Sequence, residues 1–211
     1  MKKRIETLPF VKHHIRLRRE ADLETKLSRL GQVIPEVALT NSHNGTSGFI
    51  LDAALHRLVC RNGLIAACSQ GSLRFRHTGK DDLTGRILEG AYEIVSEFPR
   101  IADKVEEWSG IELNRGQQLA LARAALPLRF DESSGVTPEQ LLQPRRYGDT
   151  RPDLFTTFNV IQESIIKGGI YTGRKNGRRQ ATRKVTSVDR DLKLNRALWT
   201  LTDELSKLVA N

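Results

Sequence analysis

Seven apolar residues, Ile87, Ala91, Ile94, Phe98, Ile101, Val105 and Trp108, succeed one another at alternating steps of four and three. That spacing keeps all of them on one face of an α-helix and would scatter them over both faces of a strand. So long a stripe must be buried against another layer, and the chain before it supplies one with a different period. GSLRFRHTG (residues 71–79) sets Leu73 and Phe75 against Arg74 and Arg76, with Ser72 or Thr78 on the same polar side. This is the two-residue period of a half-buried strand. HHIRLRR (13–19) alternates in the same way, and PEVALTNSH (35–43) begins a second strand. GFILDAALHRLVC (48–60) alternates imperfectly: it returns as a strand, or a helix takes over from Leu51. Asn44-Gly45 and Asn62-Gly63 are turn chemistry, because both residue types tolerate positive φ. The expectation for residues 13–80 is an antiparallel sheet with one apolar face and one basic face.

From residue 82 onward the signals are helical. Pro99 interrupts the long stripe and is expected to kink or split that helix near Phe98. Asn114, with Gln117 three residues on, reads as a capping box opening a helix to about Leu126. Thr137-Pro138-Glu139-Gln140 opens a short one with proline at its first position. Leu154, Phe158, Ile161 and Ile165 mark an amphipathic helix that stops at Gly168-Gly169. Leu194, Leu198, Leu201, Leu205 and Leu208 mark the last, begun by Asp189 or Asp191. A leucine stripe of this kind seals a core more often than it pairs subunits. Residues 131–136 and 171–187 read as loops. The fold class expected is α+β in a single domain over residues 1–211: residues 13–80 mainly β, covered by helices, and an all-helical second half, 82–211, carrying the basic loop 171–187.

That loop holds Arg174, Lys175, Arg178, Arg179, Arg183 and Lys184 and no acid. Like charges so crowded repel one another, and a bound polyanion relieves the repulsion while releasing its counterions. Arginine dominates, which suits bidentate phosphate contact. The chain as a whole leans the same way, with 34 Lys and Arg against 25 Asp and Glu, a net charge of +9. A second basic set is Arg57, Arg61, Arg74 and Arg76, with His77 beside it; on a sheet face it would track a nucleic-acid backbone. Tyr147, Phe155 and Tyr171 are candidates to stack on bases, although an aromatic content of 6% assigns most rings to the core.

Other chemistries find little footing. Cys60 and Cys68 sit in apolar stretches and read as small buried residues, with neither a disulfide framework nor a zinc ligand set. No apolar run reaches the length of a spanning helix, and the charged N-terminus lacks the apolar region of a signal peptide, so a cytoplasmic protein without membrane contact is expected. Ser42 and His43 are adjacent on a strand and diverge, which suits turn and cap formation better than nucleophile and base. No Walker loop and no G-x-S-x-G is present. Asn159, Gln162 and Glu163 share one helix near Gly168 and are placed to order the basic loop. Glu163 alone cannot hold magnesium, although Asp153 or Asp189 would help if brought near. No catalytic residue, metal site or cofactor is assigned.

LTNSHNGTSGF, LHRLVCRNGLI and FRHTG, followed by FNVIQESIIKGG, GRRQATRKV and LNRALWTL, resemble the phage- and plasmid-like protein family known as domain of unknown function 932. The resemblance runs from about His14 to Leu208. It implies a mobile-element setting, prophage or conjugative plasmid, where DNA processing, recombination and resistance to host defence are common trades. Only a dozen residues precede HHIRLRR, where the family usually has a longer region, so a short member lacking a strand or helix is implied. Phe155 stands where the family often has Trp, and Ser164 where an Asn usually completes Gln-Glu-Asn. Strands followed by a long helix, with a basic sheet face, are also similar to proteins that anneal complementary single strands. The function expected is sequence-independent DNA binding, single-stranded DNA preferred, in recombination or replication, with a homo-oligomer compatible with that role. The alternatives are a protein-binding module that antagonises a host defence complex, through a patch such as the leucine stripe, and a metal-dependent nuclease.

Overall fold

A computed structural model describes residues 12–18, 33–42, 49–57, 62–65, 72–75, 83–175 and 178–209. Strands β1 (Lys12–Arg18), β2 (Val33–Ser42) and β3 (Phe49–Arg57) pair antiparallel in chain order. The far edge of β3 is shared. Its first half pairs with β5 (Ser72–Phe75) and its second half with β4 (Asn62–Ile65), both antiparallel. The imperfect alternation of 48–60 therefore resolves as a strand. Asn62 and Gly63, read from sequence as a turn, lie within β4 opposite Arg57 and His56. The pair Asn44-Gly45 lies outside the described residues, as do Cys60 and Cys68.

Alternation along β3 decides what it buries. Phe49, Leu51 and Ala53 are in the core, joined by Phe75 from β5 and Val37 from β2. Helix α1 (Leu83–Gly110) lies on them. It can come close because Gly90 has no side chain: a Cβ there would stand 2.8 Å from the Phe75 ring and 2.9 Å from Leu73. Asp52, turned the other way between Leu51 and Ala53, is fully buried and ion-paired to Arg196 of the last helix. The sheet face expected to be basic thus carries a buried carboxylate, although Arg74 on β5 is exposed as expected.

Helix α1 runs unbroken through Pro99. The stripe explains why: Ile94, Phe98, Ile101, Val105 and Trp108 are buried on both sides of it, while Pro99 sits on the exposed face. There the carbonyl left without an N–H partner can be met by water. Helix α2 (Arg115–Ala125) opens on the reciprocal cap read from sequence, Asn114 Oδ1 accepting from Gln117 N at 2.9 Å and Gln117 Oε1 accepting from Asn114 N at 2.8 Å. A 3-10 turn, Glu132–Ser134, occupies the segment read as the first loop. Helix α3 (Pro138–Leu141) begins on Thr137, whose N–H donates to Gln140 Oε1 at 2.9 Å. Helix α4 (Leu154–Lys167) begins on Asp153, which accepts from Thr156 N at 2.7 Å and Thr156 Oγ1 at 2.8 Å. Helix α5 (Val188–Val209) carries Asp189 and Asp191 in its first turn.

Three helices meet at one aromatic cluster. Trp108 of α1 stands 5.7 Å from Phe158 of α4 and 4.4 Å from Trp199 of α5, ring centre to ring centre. Phe155, a sequence candidate for stacking on bases, packs against Phe158 at 6.4 Å and belongs to the core. Leu194 and Leu198 of the leucine stripe are also core, Leu201 and Leu205 pack against it, and Leu208 is exposed. Buried apolar residues of sheet and helices form one continuous cluster. Among the described residues, no helix is long and apolar enough to cross a membrane.

Candidate nucleic-acid interface

Helix α4 ends where Gly168 (φ 62°) and Gly169 (φ 77°) turn the chain back. Beyond these glycines the chain does not form the loop expected from its sequence. Strands β6 (Tyr171–Lys175) and β7 (Arg178–Ala181) form an antiparallel hairpin with an irregularity between Tyr171 and Gly173. Its root is held from several directions. Gly169 N donates to Thr182 O at 2.7 Å, Thr182 N to Ile170 O at 2.8 Å, and Val185 N to Ile166 O at 2.8 Å. Gln140 of α3 donates to Tyr171 O at 2.9 Å. Arg145 donates to Gly168 O, and Arg129 to Arg183 O.

The end of the hairpin carries the charge. Register sets Arg174 opposite Arg179 and Lys175 opposite Arg178, two like-charged pairs in succession. Directly opposed side chains stand roughly 5 Å apart at their Cβ atoms, and like charges in that position destabilise a sheet. Arg178 is exposed, and so are Arg183 and Lys184 just beyond β7. The structure thus places Arg174, Lys175, Arg178 and Arg179 on the two strands of the hairpin, with Arg183 and Lys184 at its root. Of the second set, Arg57 ends β3 and Arg74 lies on β5, both in the five-stranded sheet and not on the hairpin's strands; Arg61 and Arg76 lie outside the described residues, with His77. Of the stacking candidates, Tyr147 is fully exposed and Tyr171 partly so.

Sequence reasoning missed the cations that root the hairpin. Arg129 lies over the Phe130 ring at 5.0 Å. Burial, together with the nearby charge of Arg190, pulls the pKa of Arg129 below its ordinary value. Arg145 and Arg146 come from Pro144-Arg145-Arg146-Tyr147-Gly148, a short basic turn whose composition was the available signal.

Glu163 couples this turn to the end of α4. It is buried, with Arg146 Nη2 at 2.9 Å, Arg146 Nε at 3.3 Å and Lys167 Nζ at 2.8 Å. Burial alone would raise its pKa. The hydrogen bonds from Arg146 and Lys167 and their charges outweigh that and lower it from 4.5 to about 2. A folded pKa below the unfolded one means that the carboxylate stabilises the fold at neutral pH and that this contribution fades as pH falls from 4.5 toward about 2. Glu163→Gln is expected to cost about 2 kcal/mol at neutrality, less than a deeply buried pair because both cations are partly exposed. Its urea midpoint should also fall less than the wild-type midpoint on acidification. Equal pH slopes in the two proteins would remove Glu163 from the acid-sensitive groups.

The other polar residues of α4 serve the fold. Asn159 donates to Phe155 O at 2.6 Å within its own helix, and Gln162 donates to Asn195 of α5 at 2.7 Å. Of the trio placed to order the basic segment, only Glu163 acts there, through Lys167 next to Gly168. Asp153 caps its helix and Asp189 lies exposed in the first turn of α5, so neither joins Glu163. Among the described residues, no three of His, Cys, Asp and Glu are grouped to hold a metal ion.

Comparison with known proteins gives relatives over nearly the whole chain. The family described as "Domain of unknown function (DUF932)" matches residues 4–199. The UPF0380 protein YafZ of Escherichia coli (strain K12) is 43% identical over 195 residues, which cover 92% of this chain and 68% of that protein. The UPF0380 protein YfjQ of the same strain is 42% identical over 195 residues, with the same coverage of 92% and 68%. No solved structure matches the chain.

Proposed function

The chain belongs to the domain of unknown function 932 family, and from that premise we propose that it binds DNA without regard to sequence, single strands preferred, in the recombination or replication of a mobile genetic element. The observation that carries this reading is the pair of like-charged cross-strand couples, Arg174 with Arg179 and Lys175 with Arg178, at the end of a hairpin whose root is fixed. A free flexible segment would spread such charges apart. The rooted strands hold them together, so the local field is strong and is relieved by a polyanion. Contacts of this kind go to phosphates, which carry no sequence information. The reading needs no catalytic group. Its cellular setting is the cytoplasm of a host carrying the element, and a second copy of the chain is compatible with it.

The test is a salt titration of oligonucleotide binding by fluorescence anisotropy. Wild-type protein is expected to bind a single-stranded oligonucleotide at low ionic strength, with affinity falling linearly on a logarithmic salt axis. Arg178→Ala combined with Arg179→Ala should weaken binding and flatten the slope by about 1.4, the change expected when two phosphates of a single strand are no longer neutralised. An unchanged slope would take these two residues out of the interface, and no binding at low salt would sink the proposal.

A further inference from the structure

A cleft of about 230 Å³ opens at the foot of the hairpin, lined by Gln140, Gln143, Arg145, Ser164, Gly169 and Tyr171 among others. We infer that it receives one unpaired nucleobase of a strand lying along the hairpin, an inference that rests on the DNA-binding reading above. Three features of the lining fit a base. Tyr171 is partly exposed and presents a ring, the surface on which unpaired bases stack whatever their identity. Gln143 is exposed and makes no hydrogen bond among the described residues, so its amide has a donor and an acceptor to offer a base edge. Gly169, with no side chain, leaves space beside the Arg145 guanidinium, whose nearest nitrogen is 3.7 Å from where a Cβ would stand.

The position matters as much as the chemistry. Tyr171 opens β6 and Arg174 is three residues further along it. At about 3.3 Å per residue, the two lie roughly 10 Å apart along the strand. A base seated against Tyr171 therefore leaves its neighbouring phosphates within reach of the hairpin cations. A duplex offers no such base, since its bases are covered on both faces by their neighbours and must be flipped out at a cost. The cleft thus supplies a reason for single-strand preference that phosphate contacts alone do not.

The experiment compares three ligands of equal length at one salt concentration: a single-stranded oligonucleotide, its duplex, and a strand of abasic sites with the same backbone charge. Wild-type protein is expected to bind the normal strand about 10-fold more tightly than the abasic one. Tyr171→Ala should remove that difference while leaving affinity for the abasic strand and the salt slope unchanged, and Tyr171→Phe should restore it. Gln143→Ala, at an exposed position, provides a second variant if Tyr171→Ala fails to fold, and should reduce the difference in part. Equal binding of normal and abasic strands by wild type, with the Arg178→Ala/Arg179→Ala protein still weakened on both, overturns the cleft and leaves the hairpin standing. Absence of binding to any strand overturns both.

Discussion

Gly168→Ala is expected to destabilise the protein by about 3 kcal/mol or more and to lower its thermal midpoint by roughly 10 °C, on the scale of about 2–4 °C per kcal/mol for a domain of this size. Two effects add. The backbone at φ 62°, ψ −143° is one that a side chain disfavours, a strain of about 1–3 kcal/mol. A Cβ would also stand 2.3 Å from the Arg183 carbonyl oxygen, 2.6 Å from its carbon and 2.7 Å from the Thr182 oxygen. All three are backbone atoms, pinned by the bonds from Gly169, Thr182 and Val185 that root the hairpin, so relief requires the root to move. Overpacking of that sort adds about 1–3 kcal/mol. The neighbouring Gly169→Ala is the comparison. It has positive φ too, but a Cβ there meets only Arg145 at 3.7 Å, so about 1–2 kcal/mol is expected. Chemical denaturation of the two variants checks this; equal costs would show that the close approach at Gly168 is not what matters. Because the displaced root carries the cations, Gly168→Ala should also weaken oligonucleotide binding under conditions where it remains folded.

Trp108→Ala should be the most damaging single truncation in the core, at about 4 kcal/mol. Trp108 is fully buried where α1, α4 and α5 converge, with Phe158 and Trp199 packed on it. Phe158 and Trp199 hold each other at 6.0 Å nearly edge to face, so they cannot collapse into the space an alanine leaves without giving up that contact. The indole N–H has no hydrogen-bond partner among the described residues. Trp108→Phe removes that unsatisfied donor along with part of the volume and should cost less than half as much as Trp108→Ala. Equilibrium unfolding in urea separates the two. If alanine and phenylalanine cost the same, the missing ring volume is not the source.

What could be read from the sequence was what depends on near neighbours. The stripe from Ile87 to Trp108, the reciprocal cap of Asn114 and Gln117, the proline opening α3 and the glycine stop after Lys167 are all local, and each stands in the structure. Pro99 does not split α1, because the hydrophobic stripe on either side of it is stronger than one missing hydrogen bond on the wet face. The hairpin was misread for a different reason. Strand patterns are recognised by alternating apolar residues, and YTGRK and RRQA have almost none. The signal present was Asn176-Gly177 between Lys175 and Arg178, the same dipeptide that reads as a turn elsewhere in the chain. The root of the site was illegible from local pattern. Arg146 meets Glu163 across 17 positions, Arg145 meets Gly168 across 23 and Arg129 meets Arg183 across 54, so nothing near any of them in sequence announces the partner.

The ion pair of Asp52 with Arg196 spans 144 positions. Asp52 sits at the centre of a sheet that leaves the ribosome early, and its only ion-pair partner among the described residues is on α5, which leaves much later. A nascent chain that has finished the strands but not α5 lacks the cation that Asp52 pairs with in the finished fold, and burying the carboxylate without that partner is unfavourable by several kcal/mol. Until then the strands can pair with Asp52 still hydrated, so it is the burial of this carboxylate, and not the pairing of the strands, that is expected to wait for α5.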